Sequence, residues 1–123
     1  MQPLNVVILQ SDTEVAQNLQ NSLQSHFSFI YLAHTLGEAK AAIPKYRAQV
    51  VVVDLEIVPR SEVEWLRHEF PGISLVCTHR LADEEMWTEM VGAGANDLCV
   101  SADCRGILSA ALRTTQAAKS MAA

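Results

Sequence analysis

No part of this 123-residue chain is a long hydrophobic run. The apolar segment Val6 to Leu9 is far too short for a bilayer span, which takes about 20 apolar residues. The charged start, apolar middle and small-residue cleavage site of a secretory leader are also missing. A cytoplasmic protein without membrane contact is the expectation. Basic residues are scarce as well, with 9 Lys and Arg against 14 Asp and Glu and a formal net charge of −5. Lys40, Lys45, Lys119 and the arginines are scattered rather than gathered into a stripe, so direct nucleic-acid binding is not expected.

Cysteine is limited to 3 residues, an odd number without paired spacing, which does not read as a disulfide framework. Cys77 and Cys99 fall in apolar segments and are expected as small core residues. Cys104, near a helix start, is placed for a mildly activated thiol or for no special role. The 4 histidines (His26, His34, His68, His79) show no pair at metal-ligand spacing, which argues against zinc.

What the chain does have is apolar content. Half of it is hydrophobic and 19% is charged, which excludes disorder, and the length suits one domain with a single core. Short apolar runs alternate with amphipathic stretches, the pattern of βα units wound on a parallel sheet. Five strands are expected: Asn5 to Leu9, Phe29 to Ala33, Gln49 to Asp54, Ile73 to Cys77 and Asp97 to Val100. Capping boxes at Ser11 with Glu14, Thr35 with Glu38, and Ser61 with Glu64 open the first three helices. Val15, Leu19 and Leu23 form one apolar stripe, and Val63, Leu66 and Phe70 another. The third helix stops before Pro71-Gly72. The fourth opens at Asp83 and stops at Gly92-Ala93-Gly94. The last covers Cys104 to about Gln116, with Ile107, Leu108, Ala111 and Leu112 inward.

Four valines, Val50 to Val53, run straight into Asp54. A strand apolar on both faces belongs in the middle of a parallel sheet, and functional crevices of such sheets lie outside the carboxyl ends of the strands. Asp54 is therefore either a site acid for ligand, metal or phosphoryl chemistry or a turn former bonded to its own loop.

The five-unit alternation, with Asp54 ending the third strand and Thr78 ending the fourth, resembles the receiver domain of response regulators in two-component signalling. Asn5 to Leu19, Val50 to Leu66 and Ile73 to Thr78 carry the likeness, and Gly92-Ala93-Gly94-Ala95-Asn96-Asp97 is similar to the segment preceding the family's fifth strand. The resemblance implies a CheY-like, flavodoxin-like (βα)5 fold: a doubly wound five-stranded parallel sheet in three αβα layers. It implies a receiver-like domain over residues 1–116, with 117–123 a tail or the start of a linker to an output domain. It further implies no enzyme activity, a phosphoacceptor role for Asp54 and a phosphoryl-binding hydroxyl at Thr78. Magnesium, where used, takes oxygen ligands from an acidic pair after the first strand, from the phosphoacceptor, and from a backbone carbonyl two residues on, here Glu56.

The chain departs from that pattern at several positions. Gln10-Ser11 stands where the acidic pair belongs. Asp12, one residue late, is either a substitute ligand or a first-turn acid favoured by the helix dipole. Ser101 occupies the Lys position, Leu98 replaces the switch aromatic, and His79 stands where a small residue is usual. Arg80 is a conceivable cation for the site, or a solvated loop residue.

Three functions are open on these grounds. One is a degenerate receiver, a pseudo-receiver, acting as a phosphorylation-independent protein-interaction module with no cofactor. Another is an atypical receiver still phosphorylated on Asp54, with weak Mg2+ use through Asp54, Asp12 and the Glu56 carbonyl. The third is a small nucleotide-binding α/β protein, although Gln10-Ser11-Asp12-Thr13 lacks the glycine of a phosphate cradle. The resemblance implies protein partners, namely an output domain, a histidine kinase or another signalling protein, and a possible homodimer through the fourth helix, fifth strand and fifth helix. Trp87 falls in that region as core or as anchor. Trp65 points away from its helix's apolar stripe and is expected to be at least partly exposed or packed under a loop, and a partly exposed aromatic suits an interface anchor.

Overall fold

The computed structural model describes residues 4–122, with side chains described up to Thr115. Its elements alternate strictly: β1 (Asn5–Leu9), α1 (Thr13–Leu23), β2 (Phe29–Ala33), α2 (Leu36–Lys45), β3 (Val50–Asp54), α3 (Arg60–Glu69), β4 (Ser74–His79), α4 (Glu84–Gly92), β5 (Asp97–Val100) and α5 (Cys104–Ala122). All strands are parallel in the order β2-β1-β3-β4-β5, the expected doubly wound arrangement. The sheet's side chains alternate between two cores, as a period of two requires. Val7, Leu9, Val51 and Val53 pack with α2, α3 and α4 through Ala39, Ile43, Val63, Leu66 and Met90. Val6, Ile8, Val50 and Val52 pack on the other face with α1 and α5 through Leu19, Leu23, Ile107 and Ala111. Burial of β3 on both faces explains why its valines need no polar alternation.

Helix starts depart from expectation at two of the three proposed capping boxes. Thr35 does cap α2, accepting from the Glu38 N–H at 3.1 Å. Asp12, not Ser11, caps α1, with its Oδ1 accepting from the Glu14 and Val15 N–H groups at 2.9 and 3.1 Å. Ser11 is drawn away by a tertiary partner described below. Helix α3 begins one residue after Pro59 with no side-chain cap, which leaves Ser61 inside its first turn. Proline at that junction brings a preset φ suited to a chain entering a helix, and its backbone carbonyl accepts from the Glu62 and Val63 N–H groups at 3.0 and 3.3 Å. Asp83 caps α4 as expected, accepting from the Met86 N–H at 2.8 Å.

Strand β4 starts one residue later than expected and runs through Thr78 to His79. Helix α5 continues to Ala122, past the expected end near Gln116. Its alanine-rich last turns contain neither Gly nor Pro, so no local stop signal acts there. Of the expected tail or linker 117–123, the backbone of all but Ala123 is thus helical, and Ala123 lies outside the described residues.

Two helix ends use the same motif with different residues. After α4, the Gly94 N–H reaches Val91 O and the Ala95 N–H reaches Met90 O, both at 3.0 Å. After α2, the Arg47 N–H reaches Pro44 O at 3.3 Å and the Ala48 N–H reaches Ile43 O at 3.0 Å. Both are Schellman ends, which place the turning residue at positive φ. Gly94 has φ 112° and Arg47 has φ 51°. Arg67 of α3 fastens the region around Gly94 with Nε on Gly94 O (2.7 Å) and Nη2 on Asn96 Oδ1 (2.6 Å). Its partial burial lowers the guanidinium pKa.

Candidate functional site

The carboxyl ends of β1, β3, β4 and β5 meet at one edge of the sheet, and every candidate site residue lies on these ends or the loops that follow. Asp54 ends β3 beside Thr78 of β4, its register partner. Asp54 and Thr78 are both fully buried, and Ser101, one residue past β5, is 3% exposed. The topology thus brings together the residues that the sequence spreads across its length.

Asp54 is held by three donors. The Ser11 hydroxyl reaches its Oδ2 at 2.6 Å, and the Ser11 N–H reaches the same oxygen at 3.1 Å. The Glu56 N–H donates to Oδ1 at 2.9 Å, so the residue two positions on closes the turn. The two readings of Asp54, site acid and turn former, therefore meet in one residue. A carboxylate taken from water must find such donors, and hydrogen bonds to a charged acceptor are worth about 1.5–3 kcal/mol each. Ser11 itself faces solvent and covers the acid from the β1 side.

The surrounding side chains are otherwise engaged. Gln10 Oε1 accepts from the Asp12 N–H at 3.1 Å, and Asp12 spends its Oδ1 on capping α1. Arg80 pairs through Nε with Glu56 Oε1 at 2.7 Å, tying the β4–α4 loop to the β3–α3 loop. Thr78 Oγ1 makes only a long contact, 3.5 Å, to Val53 O. The buried Ser101 Oγ has no hydrogen-bond partner among the described residues. His79 ends β4 partly buried, with its Nδ1 accepting from the Leu81 N–H at 3.0 Å.

Magnesium requires several oxygen ligands turned toward it in near-octahedral geometry. Here the Asp54 oxygens receive three donors and the Asp12 carboxylate caps a helix. Among the described residues no three His, Cys, Asp or Glu side chains converge on one point. The Asp54 and Asp12 carboxylates are thus each already engaged by hydrogen-bond donors rather than turned together as a ligand pair.

The opposite flank of β5 carries a network not foreseen from the sequence. Asp97 Oδ1 accepts from the Trp87 indole N–H of α4 at 3.0 Å and from the Leu98 N–H at 2.8 Å. Its Oδ2 pairs with Arg113 of α5. The spacing Trp87, Asp97, Arg113 carries no local signal, because the three meet only when β5 lies between α4 and α5. Trp87 is 44% exposed and so is not a core residue, while Trp65 is 39% exposed as expected. Leu98 of β5 is buried. Cys77 is a core residue as expected, with burial pushing its thiol up to about 12. Cys99 is half-buried, and burial pushes its thiol up to about 11.

No family model and no curated protein matches the sequence. Solved structures do match the fold. A CheY-like response regulator receiver domain from Methanospirillum hungatei JF-1 superposes with a TM-score of 0.83 at 17% identity, covering 98% of this chain and 99% of that one. The RcsB response regulator of Salmonella typhimurium matches with a TM-score of 0.81 at 16% identity over 95% of this chain, which spans 61% of that protein. An atypical orphan response regulator, described as having a phosphorylation-independent regulatory mechanism, matches with a TM-score of 0.79 at 11% identity, covering 92% of this chain and 96% of that one. At these identities the likeness establishes architecture. The chain therefore has the fold of response-regulator receiver domains, with Asp54 and Thr78 side by side at the carboxyl edge of its sheet.

Proposed function

We propose that this chain is a receiver-like signalling domain of a two-component or phosphorelay pathway that acts as a protein-interaction module without phosphorylation of Asp54. One observation carries the reading: the Asp54 carboxylate has no solvent exposure and both of its oxygens accept hydrogen bonds from Ser11 and Glu56. A nucleophile so held has to give up those bonds to attack, and among the described residues no lysine is placed to offset the charge of an acyl phosphate and no acid pair converges to hold a cation that would. Among the fold's relatives, the orphan regulator with a phosphorylation-independent mechanism supplies a parallel. In this reading the domain is no enzyme, holds no cofactor, and works in the cytoplasm, where its free cysteines stay reduced. Its partners are an output domain, a kinase or another signalling protein, engaged through the face formed by α4, β5 and α5.

Intact-mass spectrometry after incubation with acetyl phosphate and magnesium tests this directly. The expected spectrum shows the unmodified chain. A phosphoryl adduct that disappears in the Asp54→Asn variant would establish the atypical phosphoacceptor instead.

A further inference from the structure

Between the first turn of α4 and the β5–α5 junction lies an open groove of about 430 Å³. Its walls are apolar, formed by Trp87, Leu98 and Val100, and its acids are Asp83, Glu84 and Asp103. None of the residues lining it is basic. Two nearby arginines are already engaged, Arg80 with Glu56 and Arg113 with Asp97. Trp87 and Val100 are 44% and 42% exposed, so the walls present substantial apolar surface. The indole is also fixed in advance, because its N–H is held by Asp97, which Arg113 anchors in turn. An aromatic wall whose rotamer is already set loses little side-chain entropy when a partner arrives. Large, pre-organised aromatics of this kind are the usual anchors of protein interfaces.

We infer that this groove binds a segment of a partner protein that carries an apolar anchor residue flanked by lysines or arginines. The inference rests on the reading of the domain as an interaction module and names the chemistry of its partner. Charge complementarity selects this occupant over a second copy of the chain. Another copy brings the same acidic rim and a net charge of −5, and pairing like patches across a two-fold axis sets acid against acid. A cationic flank instead meets Asp83, Glu84 and Asp103 while its apolar residue lies against Trp87 and Val100.

The probe is a short synthetic peptide with a Leu-Leu-Phe core between Lys-Arg pairs. Two controls accompany it, one with Glu-Glu flanks and one with a Ser-Gly core. Binding is read from backbone amide and indole N–H correlation spectra of the full chain. Saturable shifts are expected at the Trp87 indole and at Leu98 to Val100 with the cationic apolar peptide alone. Trp87→Ala is expected to weaken that binding at least ~10-fold, as loss of an interface anchor does. Glu84→Lys lies on the exposed first turn of α4 and leaves the core intact, so it serves as the variant that keeps its fold. It is expected to weaken binding by about 5-fold through charge alone.

Equal binding of the Glu-flanked peptide, shifts mapping away from the groove, or no saturable shift either with or without magnesium and beryllium fluoride would overturn the proposal. Concentration-dependent shifts of the same resonances without peptide would overturn it in favour of self-association. Repeating the titration with magnesium and beryllium fluoride separates the two claims. Binding that requires these additives keeps the groove and refutes phosphorylation independence, whereas failure in both conditions refutes the groove alone.

Discussion

Asp54 and Ser11 lie 43 positions apart and meet through a 2.6 Å hydrogen bond. Asp54's place at the end of a valine strand is visible in the sequence, because four β-branched apolar residues in a row suit a strand buried on both faces of a parallel sheet. Its partner is not, since Ser11 reads equally well as a helix cap and only the adjacency of β1 and β3 decides between the two uses. Ser11→Ala removes the hydroxyl from a buried acceptor and is expected to cost about 2 kcal/mol in urea denaturation. A loss below about 0.5 kcal/mol, the range of ordinary surface substitutions, would show that the hydroxyl does not hold the acid. Cys77 supplies a second residue-scale test through pH. Its thiol rises from an ordinary 9.0 to about 12 because burial disfavours the thiolate. Unfolded chains lose that proton near pH 9 while the folded chain keeps it. The stabilising contribution is therefore full below about 9 and declines as pH rises toward about 12. Urea midpoints should fall more steeply between pH 8.5 and 10.5 (roughly the window in which only the unfolded thiol ionises) for the wild type than for Cys77→Val.

Helix and strand existence follows from the patterning of apolar residues, and β1, β2 and β5 occupy their expected spans. Helix ends are harder to read because neighbouring Ser, Thr and Asp residues compete for the same N–H groups. The α1 start illustrates this: Asp12 wins the cap once Asp54 has claimed Ser11. Asp12→Ala is accordingly expected to cost about 1 kcal/mol, whereas Ser61→Ala, inside α3, should change stability by less than about 0.5 kcal/mol. Thermal or urea unfolding of the pair checks the assignment. The matched Schellman ends make a prediction of opposite sign. Gly94 has a positive φ, and a Cβ there would also come within 2.6 Å of Arg67 Cγ, so only glycine suits the position. Arg47 adopts its positive φ on a side chain that disfavours it. Arg47→Gly should stabilise the protein by about 0.5–1 kcal/mol, the left-handed penalty less glycine's extra chain entropy. A lower urea midpoint would contradict that.

For the whole molecule, the doubly wound topology sets the carboxyl ends of four strands side by side, and this explains why residues scattered from Gln10 to Ser101 lie along one edge of the sheet. That much is legible from the strand pattern together with the receiver resemblance. The state of the site is not, because it depends on which donors reach a buried carboxylate across the sheet. The Trp87, Asp97 and Arg113 network is likewise invisible before β5 is set between α4 and α5. In the proposed account, signalling passes through that outer face while the Asp54 edge stays closed. The most direct test is a magnesium titration followed by beryllium fluoride, with amide shifts followed at Asp54, Thr78 and Leu98. A sealed site predicts no saturable shift at these positions at millimolar magnesium, with or without the phosphoryl mimic. Saturable shifts that spread from Asp54 and Thr78 to Leu98 would contradict it and return Asp54 to the role of a working phosphoacceptor.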